Sequence, residues 1–243
     1  MAGKARVLVT RPEPGASETA RRLEAADFLA LKLPLQEIRP LELDAGTIPA
    51  DIAAVAATSA NAVRHAPGDV VDRLKHLPCF AVAAATAKAA REAGFKHVIE
   101  GGGDAEALAK TILGRPPGGP VAYLCGRVRR PAFEQRLAGE GIAIHALETY
   151  DTIGVGYTVK EVQHLAAGHP IDYVLVYSAN AAEALIAMTL QTGLEELFEN
   201  AVFACISGRV AESFRERPQT RIRIASEPDE RMLLSLLGPG PAP

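Results

Sequence analysis

Residues able to do chemistry stand where short apolar runs of the sequence end. They carry hydroxyl, amide or guanidinium groups, or are glycine: Arg11, Thr58, Ser59, Asn61, Thr86, Gly126, Arg127, Ser178, Asn180 and Arg209. Together with the positive dipole end of the helices that follow, these groups suit a ligand with several carboxylates rather than a neutral apolar one. For any single serine or asparagine, a helix cap is the simpler interpretation.

Several other chemistries find no support. The sequence has no Gly-x-x-x-x-Gly-Lys-Ser/Thr loop and no Gly-x-Gly-x-x-Gly segment after a strand, which argues against nucleotide and dinucleotide sites. Its six histidines lack metal-ligand spacing. The three cysteines are expected to be buried thiols, and Cys125 alone is placed where it could face a ligand. Metal ligation and nucleotide binding are therefore disfavoured.

Composition restricts the partners. Hydrophobic residues make up 48% of the 243 residues, tryptophan is absent, and the net charge is −3. This charge gives no electrostatic footprint for nucleic acid or an anionic membrane. No apolar run approaches the roughly 18 residues needed to cross a bilayer, and the N-terminus does not resemble a signal peptide. The odd number of cysteines argues for a reducing compartment and against a disulfide scaffold, so the expectation is a cytoplasmic globular protein. The strand-end residues make a small molecule its expected partner.

The elements that must hold these residues alternate along the chain. Strands are predicted near 7–10, 28–33, 54–58, 79–83, 97–100, 121–125, 142–147, 173–177, 202–206 and 221–225. Helices are predicted near 18–27 (capped by Ser17), 60–66, 86–93, 104–113, 131–139, 180–191, 208–216 and 228–237. This alternation is typical of parallel sheets covered by helices on both faces. Arg129 and Arg130 are interpreted as a solvated turn, and Tyr123 as a strand or core residue.

An internal repeat accounts for so many strands. The segment Ser59-Ala60-Asn61-Ala62 recurs as Ser178-Ala179-Asn180-Ala181, and each copy follows an apolar strand and opens a helix. The repeat indicates two similar α/β halves. They are either in tandem, split near 116–120, or one is inserted in the other, with crossings near 34–52 and 148–171. The Gly/Pro-rich tail 238–243 is expected to be disordered.

Seven segments together resemble the uroporphyrinogen-III synthase family over about residues 6–237. They are Val7 to Pro12, Thr58 to Val63, Val82 to Ala87, Leu124 to Arg127, Glu148 to Tyr150, Tyr177 to Ala181 and Ile206 to Ala211. Arg209 and Val210 depart from the family pattern, which often has threonine there.

The resemblance implies an α/β fold of two flavodoxin-like domains with parallel sheets, joined by a two-stranded linker. The first domain would comprise 1–36 plus 153–243, and the second, inserted and permuted in strand order, would comprise 37–152. It also implies cyclisation of the linear tetrapyrrole hydroxymethylbilane, with loss of water and inversion of ring D. No metal or organic cofactor is required, because the substrate activates itself. Monomer is the expected state.

Tyr150 matches the tyrosine that the family places near the linker. Its phenol would donate a hydrogen bond to the departing hydroxyl group, acting as an orienting donor or weak general acid. Two other hypotheses stay open on the residues alone. One is a non-catalytic, two-lobed binding module for a small polyanion. The other is a permuted receiver-like protein, although the strand ends carry Ser, Thr and Arg rather than clustered acids.

Overall fold

The computed structural model describes residues 4–217 and 220–238. The chain folds into two compact units: unit 1 is Met1–Glu37 with Ile153–Pro243, and unit 2 is Ile38–Thr152. Most of the tail expected to be disordered, residues 239–243, lies outside the described residues. No helix in the described ranges is both long enough and apolar enough to span a membrane.

Strands and helices alternate through both units. The strands are β1 (Arg6–Val9), β2 (Leu29–Lys32), β3 (Gln36–Pro40), β4 (Ala54–Ala57), β5 (Cys79–Ala81), β6 (Val98–Glu100), β7 (Val121–Gly126), β8 (Ile144–Gly154), β9 (Tyr173–Val176), β10 (Val202–Cys205) and β11 (Arg221–Ile224). The helices are α1 (Gly15–Ala25), α2 (Ala60–Arg64), α3 (Gly68–Leu74), α4 (Ala84–Glu92), α5 (Ala105–Leu113), α6 (Ala132–Ala138), α7 (Val159–Leu165), α8 (Ala179–Thr189), α9 (Glu195–Phe198), α10 (Gly208–Ala211) and α11 (Glu230–Leu234), with 3-10 turns at Ala45–Thr47 and Glu212–Phe214.

Each unit is built on a parallel sheet. Unit 1 has the order β2-β1-β9-β10-β11, which is the 2-1-3-4-5 order of flavodoxin-like folds. In unit 2, β8-β7-β4-β5-β6 are parallel neighbours in the same spatial order with a permuted chain order, and β3 flanks β8. β3 and β8 both cross the boundary between the units, as a two-stranded linker does.

Side chains alternate along the strands of the unit 2 sheet, so both of its faces carry apolar residues. Helices cover both faces. Ala54 and Ala56 of β4 pack with α5 and α6. Val55 and Ala57, on the other face, pack with α2, α3 and α4. The central strands β4 and β7 are buried along their whole length, so their sequences are unbroken apolar runs.

The two copies of the sequence repeat have the same local structure. Ser59 caps α2 by accepting from the Asn61 N–H at 3.1 Å, and Ser178 caps α8 by accepting from the Ala181 N–H at 3.1 Å. The prediction for Ser17 was wrong. α1 begins at Gly15, and the Ser17 N–H and hydroxyl instead bind the Glu13 carboxylate, at 2.9 and 2.8 Å.

Some elements were not predicted. β3 lies in the crossing segment 34–52, and α3, α7 and α9 have seven residues or fewer. Short helices carry little periodic signal. α7 did offer one, because Thr158 and Glu161 form a reciprocal capping box.

Candidate functional site

A cavity of ≈ 510 Å³ opens at the carboxyl edge of the unit 2 sheet. Its wall combines hydroxyl, aromatic and charged side chains with one glycine. The residues that line it include Thr58, Ser59, Asp104, Glu106, Tyr123, Gly126, Arg129, Arg130, Phe133 and Tyr150. The first two follow β4, Asp104 follows β6, and Gly126 ends β7. The strand ends therefore bring residues distant in sequence into one polar site.

Tyr150 enters this cavity from β8. A bulge between Cys125 and Gly126 places Gly126 opposite Tyr150 in the sheet register. A Cβ at position 126 would lie 2.7 Å from Tyr150 Cζ, so the phenol ring needs glycine there. The half-buried phenol donates to Ser59 Oγ across 3.3 Å, a long and weak hydrogen bond.

Thr58 and Tyr123 form a second pair of hydroxyl groups in the wall. Tyr123 Oη and Thr58 Oγ1 are 2.6 Å apart. Burial raises the pKa of Tyr123 to about 12, so its phenol stays protonated at neutral pH. Tyr123 is in the core as predicted, and it also lines the cavity.

The arginines of the loop after β7 differ in the ion pairs that they form. Arg129 binds Glu148 Oε1 at 2.8 Å and Glu134 Oε1 at 3.2 Å. Burial alone would lower the pKa of Arg129, but these hydrogen bonds raise it overall. Arg127 is exposed and pairs with Glu148 and Asp151. Arg130 is exposed and forms no ion pair with any residue in the ranges that the structure describes.

Of the residues predicted from sequence, the cavity brings together Thr58, Ser59, Gly126 and Tyr150. Asn61, Thr86 and Arg127 belong to the same unit but do not line it. Asn61 lies in α2, and Thr86 is buried in the first turn of α4.

The remaining predicted residues lie in unit 1, at the carboxyl ends of its strands. Ser178 caps α8 and donates to Gln36 Oε1 at 3.2 Å, Asn180 is exposed on α8, and Arg209 is exposed on α10. Arg11 is engaged inside the unit: its guanidinium is 3.1 Å from Glu230 Oε1 and 4.7 Å from the Tyr177 ring centre. A ligand carboxylate would therefore compete with Glu230 for Arg11.

The cysteines are buried thiols, as predicted. Burial raises the pKa of Cys79, Cys125 and Cys205 to about 12 in each case, so none is a thiolate at neutral pH. Cys125 donates to the Leu147 carbonyl at 3.6 Å. Among the described residues, no group of three or more His, Cys, Asp or Glu side chains is arranged to hold a metal ion.

Sequence reasoning missed Tyr123, Arg129 and Arg130 as wall residues. The interpretation of Arg129 as a solvated turn residue was wrong, because its side chain is bound by Glu134 and Glu148. For the two arginines, the signal that could have found them is a cationic pair three residues after the glycine that ends a buried strand.

Two flavodoxin-like units, one of them permuted, with a hydroxyl-lined cavity at the strand ends of the second, define a two-domain α/β protein with a candidate site for a small molecule. The sequence profile described as "Uroporphyrinogen-III synthase HemD" matches residues 17–235. The chain belongs to the uroporphyrinogen-III synthase family.

Solved structures agree with this fold. A uroporphyrinogen-III synthetase from Helicobacter pylori superposes with a TM-score of 0.68 at 19% identity, covering 96% of this chain and 97% of that one. A mutant uroporphyrinogen III synthase from the extremely thermophilic bacterium Thermus thermophilus gives 0.59 at 19% identity, with the same coverage. No curated protein sequence is similar enough to this chain to count as a match.

Proposed function

We propose that the chain is a uroporphyrinogen-III synthase. It converts hydroxymethylbilane into cyclic uroporphyrinogen III, a lyase reaction in which the C–O bond of the hydroxymethyl group breaks and water leaves. The family match over residues 17–235 carries this proposal, and the placement of Tyr150 supplies the chemistry. The functional domains are 1–36 with 153–243, and 37–152.

The reaction makes limited demands on the protein. Loss of the hydroxyl group leaves an azafulvene stabilised by the pyrrole nitrogen. Ring D attacks it through its already substituted carbon, and the resulting spiro intermediate fragments and recloses with ring D inverted. The substrate supplies its own electrophile, so neither a metal nor an organic cofactor takes part. The protein must fold the chain of pyrroles and assist the departing hydroxide.

Tyr150 is the group that would assist departure. Its long bond to Ser59 is easily exchanged for one to a substrate oxygen. Ser59 Oγ already accepts from both Tyr150 and the Asn61 N–H, so its own proton is available to the same oxygen. Two hydroxyl donors from β8 and the start of α2 therefore converge at one point of the cavity.

Carboxylates of the substrate need cations that are not already neutralised. Arg130 meets this condition in the unit 2 cavity, whereas Arg127 and Arg11 each face carboxylates of the protein. Arg130 is therefore the side chain best placed to attract a carboxylate side arm. The proposed setting is the cytoplasm, and the proposed form is a monomer.

The deciding experiment supplies hydroxymethylbilane and separates the cyclic products. Wild-type protein is expected to yield the type III isomer, while the type I isomer forms without enzyme. Tyr150→Phe is expected to lower kcat about tenfold or more while product binding changes little. Type I product alone from the wild type would refute the synthase assignment and favour a polyanion-binding module.

A further inference from the structure

The hydroxyl pair of Thr58 and Tyr123 has a proton left over. Each hydroxyl group carries one proton, and the 2.6 Å contact between Oγ1 and Oη uses one of the two. No other group in the described ranges bonds to either oxygen. The second proton therefore needs an acceptor that comes from outside this part of the chain.

Burial decides which oxygen presents that proton. Tyr123 is only 2% exposed, whereas Thr58 is half-buried in the cavity wall. If Thr58 donated to Tyr123, the O–H left without a partner would be that of the more deeply buried phenol, which is the costlier arrangement. The favoured arrangement has Tyr123 donating to Thr58 Oγ1, and Thr58 donating into the cavity.

The sheet holds the phenol in place. Tyr123 of β7 is opposite Ala56 of β4, so Thr58 is its diagonal neighbour beyond the strand end, within reach of a long aromatic side chain. The Phe133 ring packs against the Tyr123 ring with centres 4.8 Å apart, at an angle of 52°. The phenol oxygen therefore has a fixed position from which to orient the Thr58 hydroxyl.

We infer that Tyr123 is a positioning residue that aims the Thr58 hydroxyl at an oxygen acceptor of the ligand. This inference rests on the proposed function, in which the acceptor is a carboxylate side arm of the tetrapyrrole. Accepting from Tyr123 polarises the Thr58 O–H and strengthens its own donation. Tyr150 and Ser59 line the same cavity and form a hydrogen bond of their own.

The test combines turnover with direct binding. Hydroxymethylbilane turnover gives KM and kcat, and fluorescence titration with uroporphyrin III, a stable polycarboxylate, gives Kd. Thr58→Val is expected to raise KM and Kd about tenfold, the loss of one hydrogen bond to a charged group. Tyr123→Phe keeps the ring and is expected to raise both several-fold, with kcat nearly unchanged.

Coupling between the two residues separates positioning from packing. The double variant should bind no worse than Thr58→Val, because Tyr123 acts through Thr58. Thr58→Ser restores the hydroxyl and should restore Kd. Tyr173→Phe is the matched control, since this buried phenol donates to the Gly238 carbonyl in unit 1 and should leave Kd unchanged. Thermal melts of each variant check that it is folded.

The outcomes distinguish the two proposals. If the wild type converts hydroxymethylbilane but Tyr123→Phe leaves KM and Kd at wild-type values, the inference fails and the proposed function stands. If the wild type binds uroporphyrin III through Thr58 and Tyr123 but forms no type III product, the proposed function fails and the inference stands. Absence of porphyrin binding by the wild type overturns the inference as well.

Discussion

At the scale of residues, position 126 controls Tyr150. The hydrogen atom of Gly126 faces the phenol ring, and a methyl group in its place would lie 2.7 Å from Cζ and 3.0 Å from Oη. Gly126 is buried at the end of β7, where the backbone cannot easily retreat. A substitution there must displace the ring rather than the strand.

Gly126→Ala is therefore expected to lower kcat about a hundredfold, since a displacement of roughly 1 Å from a productive geometry has costs of this size. Steady-state turnover of hydroxymethylbilane measures the loss. Gly154→Ala is the control, because an added Cβ at that position of β8 meets no atom within 4 Å. Equal turnover in the two variants would show that Tyr150 has no need of its present position.

Residue types indicated part of this site in advance. Thr58, Ser59 and Gly126 were found because they follow apolar runs that become buried strands. Tyr123 was not identified as a site residue. Alternation within a strand indicates that its ring is buried, but it does not indicate where the hydroxyl oxygen lies. That requires the register of β4 against β7, which is a long-range property.

At the scale of elements, the loop between β7 and α6 is held by one arginine. Arg129 bonds to the carbonyls of Gly126 and Arg127, at 3.3 and 3.4 Å, and to carboxylates on α6 and β8. The loop that carries Arg130 to the cavity is thereby fixed to its neighbours on both sides. The Arg129 cation thus serves the structure, whereas the proposed function assigns the ligand carboxylate to Arg130.

This arrangement predicts a pH-dependent contribution of Glu148 to stability. The hydrogen bond from Arg129 holds the pKa of Glu148 below its ordinary value, with Arg127 adding to the effect. A lowered folded-state pKa means that the stabilisation is present above the unfolded-state pKa, about 4.3, and is lost as pH falls through the folded-state value. The side chain is 38% exposed, so solvent screening keeps the contribution small.

Glu148→Gln is expected to lower the free energy of unfolding by about 0.5–1 kcal/mol at neutral pH, and by less in acid below about pH 4. Urea unfolding at both pH values measures this difference. Glu183→Gln is the control, because Glu183 is exposed on α8 and has no ion pair within the described ranges. If Glu148→Gln lowers the free energy of unfolding by the same amount at both pH values, the Glu148 charge has no part in the stabilisation.

The elements buried most completely were the easiest to predict. The ten predicted strands all occur, and those in the middle of each sheet, β4, β7 and β9, are unbroken buried runs. β3 has no such run: its residues are partly or fully exposed, and it is defined by pairing with β8. Short helices such as α9, with four residues, owe their existence to packing that no local pattern encodes.

At the scale of the whole molecule, the two copies of the sequence repeat exchange parts, so that each unit is built from segments of both copies. The segment that forms β1 and β2 completes its sheet with β9 to β11, and the similar segment that forms β7 and β8 completes its sheet with β4 to β6. Each unit thus combines the first part of one repeat copy with the second part of the other. This exchange produces both the discontinuous unit and the permuted strand order.

Separate cores predict separate loss of structure. Leu124 of β7 is fully buried in a core formed within unit 2, and Leu175 of β9 is fully buried in one formed within unit 1. Truncating either leucine to alanine is expected to cost about 2–5 kcal/mol. Because each core is formed by one unit, the opening should be confined to that unit.

Amide hydrogen exchange, read peptide by peptide, checks this expectation with the two variants as mutual controls. Leu124→Ala should reduce protection in peptides from 54–150 and leave those from 173–215 near wild-type values, and Leu175→Ala should do the reverse. A uniform loss of protection along the chain in either variant would contradict independent opening. It would show that the crossings through β3 and β8 couple the units into one cooperative structure.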